Sequence, residues 1–475
     1  MPLFKVGLGS KRKRLLVLFA VLVIAVSVRV LTLQFMRAHL NDASWFQFGS
    51  YAIFDQQARD IIDGRQHLFL IDDSSRTDLV QYPPAYPATV ALIYKLTGNR
   101  SAYSVQIVQW FADLFLSFIV ITGIAATAFD YRVAVAAGFL LALSPLFAMY
   151  AAYPSADTPT TWLVLGGNWL LLIAAKRGSV WFAFCAGAVL GVACWFRVNP
   201  LYLCIFWAIA IFVFVSGPRK HRLLLAAMVV LGTLLVISPI VLRNYFTFPD
   251  FTPTGGTIGI NLWEGLGETE LGKKNGFMLG DEKMLERERI KMGLPEGTVL
   301  RAQWPDGIRR DKERTRESLS FIKQHPVWYA GVMLRRMWGM LKVAGAPLPY
   351  YGSSGINVTS RKCLPQNWQG GVLALYVNAL GMIESVVRYL LLPFVVFGVY
   401  VAARRDLMVT GILLMTIFYY LVPGTSAHTE LRYVLPMHAL LVMFGGLGLQ
   451  NLWQNSMRGF GSRSDRSNRS YNSSH

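Results

Sequence analysis

Six charged residues stand at the edges of long apolar runs. Asp42 and Asp55 follow the first run, Asp157 begins a later one, Arg197 and Arg243 end two others, and Arg432 heads the last. Asn199, Asn244 and Glu430 adjoin them, and Tyr82 opens a proline-rich stretch of the first polar segment. Arginine stays charged and grips phosphate oxygens with a planar fork, so Arg197, Arg243 and Arg432 are the candidate binders of a phosphate group. A carboxylate within hydrogen-bond reach takes the proton of an attacking hydroxyl, and the arginines stabilise charge on a departing phosphate. Asp55 is the preferred base, Asp42 the second choice, and Asp157 a further catalytic candidate. Tyr82, Asn199, Asn244 and Glu430 are the remaining cleft candidates.

The plainer reading of each residue has weight. A lone arginine at a helix end commonly anchors the helix by snorkelling, but such cations favour the inner face of a membrane, and these fall on the other. Asp55 has Asp60, Asp63, Asp72 and Asp73 nearby, the pattern of a solvated surface. Asp113, inside an apolar run, is either functional or the partner of Arg29. The Asp72-Asp73 pair is too weak a signal for a metal or nucleotide-sugar site. His428 and His438 read as isolated core or surface residues. No metal ligand set and no cofactor is assigned; a divalent metal stays open.

The elements that must position these residues are membrane helices. Of the 475 residues, 54% are hydrophobic and only 15% charged, and the mean hydropathy is +0.40, far from the balance of a soluble enzyme. The net charge of +19 would suggest nucleic acid in a soluble chain, but here Lys and Arg cluster in short segments between apolar runs. Cys185, Cys194 and Cys204 lie inside apolar runs and Cys363 stands alone, so no disulfide framework or zinc spacing is visible. Lys11, Arg12, Lys13 and Arg14 precede a run to about Phe35 that lacks a small-residue cleavage site and reads as an uncleaved first helix. Arg29 within it is expected to snorkel or pair near the outer end.

Further spans are expected at 104–129, 133–150, 158–175, 180–196, 201–215, 223–242, about 385–402, 407–422 and 433–452, roughly ten in all. With the N-terminus cytoplasmic, Arg132, Lys176 with Arg177, Arg219 to Arg222, and Arg404 with Arg405 all fall on the cytoplasmic side. The expected organisation is a basic cytoplasmic N-terminus (1–14), then a membrane domain (15–242) with a first outer loop at about 37–103. An extracytoplasmic segment (243–384), C-terminal transmembrane helices (385–452) and a basic, disordered cytoplasmic tail (453–475) follow. Interfacial helices are expected in both long extracytoplasmic segments, one leading from the prolines to Gly98 and one over 321–343, while the densely charged 268–317 belongs in water. The fold class is thus an all-α polytopic membrane protein, with the candidate residues at one depth on the extracytoplasmic side.

The order of these features resembles the membrane glycosyltransferases that use polyprenyl-phosphate sugars, including protein O-mannosyltransferases and lipid A aminoarabinose transferases. The resemblance rests on Phe54-Asp55-Gln56-Gln57-Ala58 through Gly64, Tyr82-Pro83-Pro84-Ala85-Tyr86-Pro87, Ser155-Ala156-Asp157, Phe196-Arg197-Val198-Asn199-Pro200 and Pro239 through Arg243-Asn244-Tyr245. Gly259-Ile260-Asn261-Leu262-Trp263, His325-Pro326 and Leu431-Arg432-Tyr433-Val434-Leu435-Pro436 complete it. At one point the chain departs: the family's outer-loop acid would fall near Ser50 and Tyr51, and Asp55 or Asp42 takes its place. The resemblance implies transfer of a sugar from a polyprenyl-phosphate or pyrophosphate carrier to an acceptor hydroxyl on lipid, protein or polysaccharide, at the extracytoplasmic face. The lack of evident targeting signals fits a bacterial inner membrane, with an endoplasmic reticulum member as the alternative. A transporter or lipid-carrier flippase is the alternative, but no internal repeat with paired midplane charges is visible. A noncatalytic scaffold is the third reading.

Overall fold

The computed structural model describes residues 8–37, 40, 49–65, 83–247, 250–254, 258–298, 300, 307–341, 371–428 and 430–471. Asp42, Tyr82 and the Asp72-Asp73 pair lie outside the described residues. The described chain is helical: α1 (Leu8–Arg37), α2 (Gly49–Ile62), α3 (Ala85–Thr97), α4 (Ala102–Ala128), α5 (Tyr131–Leu143), α6 (Pro145–Ala151), α7 (Asp157–Arg177), α8 (Val180–Phe196), α9 (Leu203–Phe214) and α10 (Arg219–Thr247). The polar unit that follows contains α11 (Ile258–Gly267), α12 (Glu270–Lys274), α13 (Asp281–Lys291), α14 (Gly307–Gln324) and α15 (Pro326–Leu341). Then come α16 (Gly371–Arg405), α17 (Leu407–Leu421), two short 3₁₀ turns and α18 (Leu435–Tyr471).

Local chemistry sets the boundaries. Ser101 caps α4 by accepting from the backbone of Ser104, and Asp130 caps α5 by accepting from Arg132 and Val133. The run expected to span continuously over 133–150 is broken, because Pro145 has no N–H to donate and restricts Ser144; α5 stops at Leu143 and α6 restarts at Pro145. Gly98 and Gly178, both with left-handed backbones (φ 65° and 62°), end α3 and α7. The span expected at 385–402 belongs to the longer α16, and α18 runs on to Tyr471, so 453–471 of the tail expected to be disordered is helical.

Among the described residues, five helices are long and apolar enough to cross a membrane: Leu16–Gln34, Ala102–Ala128, Arg219–Phe246, Leu407–Thr425 and Leu431–Asn455. Tyr131–Leu143, Val180–Phe196 and Leu203–Phe214 are shorter apolar helices. Lipid gives little hydrophobic drive for helices to associate, so close packing and internal hydrogen bonds must hold the bundle. Gly187 shows how close α8 and α10 come: a Cβ there would lie 1.9 Å from the Val229 carbonyl oxygen. Thr416 of α17 accepts from Asn168 of α7 (2.5 Å) and Trp207 of α9 (2.8 Å), tying three helices in the apolar core. Arg29 does pair, with Asp113 at 3.1 Å, and Trp162 donates to the second oxygen of the same carboxylate at 2.9 Å.

The two ends of the bundle differ in chemistry. At one, the basic loops meet: Arg405 faces Asp130 (3.7 Å), Lys176 donates to the Thr127 carbonyl and His221 contacts the Gly178 carbonyl. At the other lie α2, α3 and the polar unit. The polar unit has its own small core of Ile260, Trp263, Leu266, Phe277, Met284, Phe321, Tyr329 and Val332. The charged stretch 268–317, expected in water, is therefore only partly solvated. Arg310 and Arg314 are buried against Glu288 (both 2.6 Å), and Asp311 accepts from the backbone of Gly259 and Ile260 at the start of α11.

Candidate functional site

The turn before α7 is held by two glutamines of α4. Gln106 donates to the Ala152 carbonyl (2.9 Å), and Gln109 donates to the Tyr153 carbonyl while its Oε1 accepts from Ser155 N (3.3 Å) and the Tyr86 hydroxyl (3.0 Å). Asp157, the first residue of α7, is thereby fixed in a buried position at the end of the bundle away from the basic loops. It pairs with Arg197, which terminates α8. The Arg197 guanidinium lies over the Tyr433 ring, 4.6 Å from its centroid, and Arg432 lies 5.2 Å from the same centroid. Asn199 fastens this corner from both sides, donating to the Tyr433 carbonyl (3.4 Å) and accepting from Tyr419 at its own carbonyl.

The pair continues into a buried series of charges. Arg432 Nη2 donates to Glu430 Oε1 (2.7 Å), and His428 Nε2 faces the same oxygen at 3.4 Å. His428 Nδ1 meets Glu268 Oε1 at the end of α11, and Glu268 Oε2 pairs with Arg336 of α15 at 3.1 Å. Arg336 and Glu268 expose 0% and 1% of their side chains, so solvation contributes nothing there and each relies on the other. Arg336 also donates to the Gly265 carbonyl at 2.5 Å. An unbroken chain of ionic contacts thus runs from the polar unit to the 3₁₀ turn before α18.

The electrostatics follow from this order. Burial pushes the Glu430 carboxyl upward, but Arg432 and His428 outweigh it and hold it at about 2. Burial would lower His428, yet hydrogen bonds to Glu268 and Glu430 raise it well above its ordinary value. Both ring nitrogens face carboxylates, which only the doubly protonated ring satisfies. Glu264, one turn before Glu268, is pushed up to about 7, chiefly by burial.

A second carboxylate centre sits on α2. Asp55 accepts from Arg59 Nε (2.9 Å) one helical turn on, and from the Tyr94 hydroxyl of α3. Tyr94 in turn shares a 2.9 Å hydrogen bond with Tyr51, whose hydroxyl is pushed up to about 12, first by burial. Tyr51, where the resemblance would put an acid, is thus linked to Asp55 through one phenol. Asp55 keeps 27% of its side chain exposed, whereas Asp157 keeps 2%. Phe54, Ala58, Tyr86, Tyr94 and Ala156 share one apolar cluster, which seats α2 beside the turn carrying Asp157.

The structure brings together Asp157, Arg197, Asn199, Glu430 and Arg432. Arg243 turns instead to Asn244, donating from Nε and Nη2 at 3.0 and 2.8 Å, and Asn244 donates to the Thr252 and Thr254 carbonyls. His428, read from the sequence as isolated, is the centre of the buried series, and Glu268 and Arg336 are its missed partners. The signal available in the sequence was the spacing: His428, Glu430 and Arg432 are three ionisable groups within five residues at the edge of an apolar run. Among the described residues no three His, Cys, Asp or Glu side chains converge to hold a metal ion.

Residues 81–242 match the family described as dolichyl-phosphate-mannose-protein mannosyltransferase. The matched segment contains Asp157 and Arg197. Among solved structures, the archaeal oligosaccharyltransferase AglB from Archaeoglobus fulgidus, in complex with an inhibitory peptide and a dolichol-phosphate, shares the fold. The TM-score is 0.52 at 16% identity, covering 96% of this chain and 52% of that one. The apo form of the Archaeoglobus fulgidus oligosaccharyltransferase gives a TM-score of 0.51 at 15% identity, covering 95% and 52%. ArnT from Cupriavidus metallidurans bound to undecaprenyl phosphate gives 0.32 at 14% identity, covering 83% and 72%. The chain spans about half the length of AglB. No curated protein matches it.

Proposed function

We propose that this chain is an integral membrane glycosyltransferase that moves a sugar from a polyprenyl-phosphate or pyrophosphate carrier to an acceptor hydroxyl at the extracytoplasmic face. The observation that carries the reading is that the Arg197 and Arg432 guanidinium groups both lie against the Tyr433 ring, at the end of an apolar bundle, with Arg197 inside the matched segment. Two guanidinium groups at that depth suit a phosphate whose lipid tail remains in the bilayer. Arg243 is the third phosphate ligand in this scheme, Asn244 and Tyr82 further cleft residues. Asp55 is the base and Asp42 its alternate, while Asp157 orients Arg197. The 27% exposure of Asp55 lets an acceptor reach it.

The acceptor oxygen attacks the anomeric carbon as its proton passes to the Asp55 carboxylate. The bond from that carbon to the carrier phosphate breaks, and its electron pair stays on the phosphate oxygen, where Arg197 and Arg432 offset the added negative charge. The topology that goes with this scheme has about ten spans, α3 and α15 lying along the interface, and both termini in the cytoplasm of a bacterium. Exposed Leu92 and Leu96 on α3, and Val327, Leu334 and Trp338 on α15, fit such interfacial seats. The test is to incubate the purified chain with a panel of polyprenyl-phosphate sugars and acceptors and follow release of the free carrier by mass spectrometry. Release dependent on one sugar class supports the reading; no release from any donor by folded protein overturns it.

A further inference from the structure

We propose that His428 is a positioning residue that shares the Glu430 carboxylate, so that Arg432 can exchange Glu430 for an incoming lipid phosphate. The proposal rests on the lipid-phosphate reading above and adds how the site is kept ready for that anion. Arg432 is already engaged: its Nη2 donates to Glu430 at 2.7 Å, while its buried Nε has no hydrogen-bond partner among the described residues. An arriving phosphate must therefore compete with a carboxylate that also repels it. Freed of Arg432, Glu430 would be a buried anion with no cation unless another stood by.

His428 is that second cation, and its position is fixed from behind. Its backbone donates to the Asn261 carbonyl (2.8 Å), and Nδ1 is held by Glu268, itself paired with Arg336. Nε2 is thus pointed at the oxygen of Glu430 that Arg432 uses, at the longer distance of 3.4 Å. That longer contact can tighten when Arg432 leaves. The charge count agrees: Arg336, His428, Arg432 and Arg197 against Glu268, Glu430 and Asp157 are four cations to three anions. The surplus positive charge offsets the first negative charge of an arriving lipid phosphate, whether a sugar-bearing diester or the free monoester. Without the charge on His428 the series is neutral before the donor arrives and carries a net negative charge after it.

The experiment is equilibrium titration of the full-length chain in detergent with undecaprenyl phosphate, with thermal unfolding measured in parallel. His428→Gln is expected to weaken binding about tenfold, the effect of losing one nearby charge in a partly dehydrated site. Glu430→Gln, which removes the competing anion, is expected to bind at least as tightly as the parent. The double variant His428→Gln with Glu430→Gln restores the charge count and is expected to return to within about threefold of the parent. A purely structural role would leave the double variant as weak as the single one. Parent-like binding by His428→Gln, no recovery in the double variant, or weakened binding by Glu430→Gln overturns the role of His428. A folded parent that does not bind undecaprenyl phosphate overturns the lipid-phosphate reading itself.

Discussion

Asp157 and Arg197, forty residues apart in sequence, form an ion pair between the first residue of α7 and the end of α8, with Asp157 almost wholly buried and Arg197 23% exposed. Removing one partner of such a pair leaves an uncompensated charge, whereas removing both does not. Asp157→Asn is expected to destabilise the folded chain by about 1–3 kcal/mol, discounted for the exposure of Arg197. Asp157→Asn with Arg197→Gln is expected to cost less than the sum of the single variants. Thermal unfolding of the four proteins gives the coupling; additive losses would mean the pair contributes nothing specific.

Asp55→Asn is expected to reduce turnover by roughly 10² to 10⁴-fold while leaving donor affinity and folding near the parent's, because the amide keeps the shape but takes no proton. Asn can still accept from Tyr94 at one atom, so α2 should remain seated. Steady-state kinetics with separate donor titration distinguish the cases. If Asp55→Asn turns over like the parent and Asp42→Asn does not, Asp42 is the base.

Glu264 gives a pH dependence of defined sign. Its folded value, about 7, lies above the ordinary carboxylate value of 4.5, chiefly through burial, with Asp281 and Glu268 adding and His428 opposing. The fold therefore favours the protonated form, and the associated stability is complete below about pH 4.5 and is lost as pH rises to about 7. Glu264→Gln keeps an acceptor for the Gly280 N–H. It is expected to match the parent at pH 4.5 and to exceed it at pH 8 by on the order of 1–3 kcal/mol. Melting curves at the two pH values decide; an equal offset at both would place the effect outside titration.

The end-to-end segregation of charge predicts labelling. A cysteine at Gly280 is expected to react with an impermeant thiol reagent added to whole cells, whereas cysteines at Gly178 and Lys220 react only after the membrane is opened, once native reactive thiols are replaced. Labelling at Gly178 from outside would invert the orientation.

How much of this was legible in the sequence depended on where a charge stood. Asp157, Arg197 and Arg432 were visible because each interrupts or borders an apolar run, where an ionisable group is expensive and so informative. The break at Pro145 was equally written in the sequence, yet continuous hydropathy over 133–150 hid it. Glu268 and Arg336 were not legible. Each lies in a segment rich in charge, where one more acid or base carries no signal, and only tertiary packing makes them the buried pair behind His428. Arg243 shows the opposite limit: expected to close a helix ending at 242, it lies inside α10, which runs on to Thr247, and its engagement with Asn244 depends on a side-chain direction that spacing does not encode.

The central claim is that Arg197 and Arg432 hold the carrier phosphate on which the sugar departs. The most direct test is the single-turnover rate of polyprenyl-phosphate release from a bound donor, for the parent, Arg197→Ala, Arg432→Lys and Arg432→Ala, with Arg404→Ala as a distant control. Loss of about 2–4 kcal/mol of transition-state stabilisation is expected for each site alanine, a smaller loss for Arg432→Lys, which keeps the charge without the fork, and none for Arg404→Ala. Release at the parent's rate by correctly inserted Arg197→Ala and Arg432→Ala proteins would contradict the account.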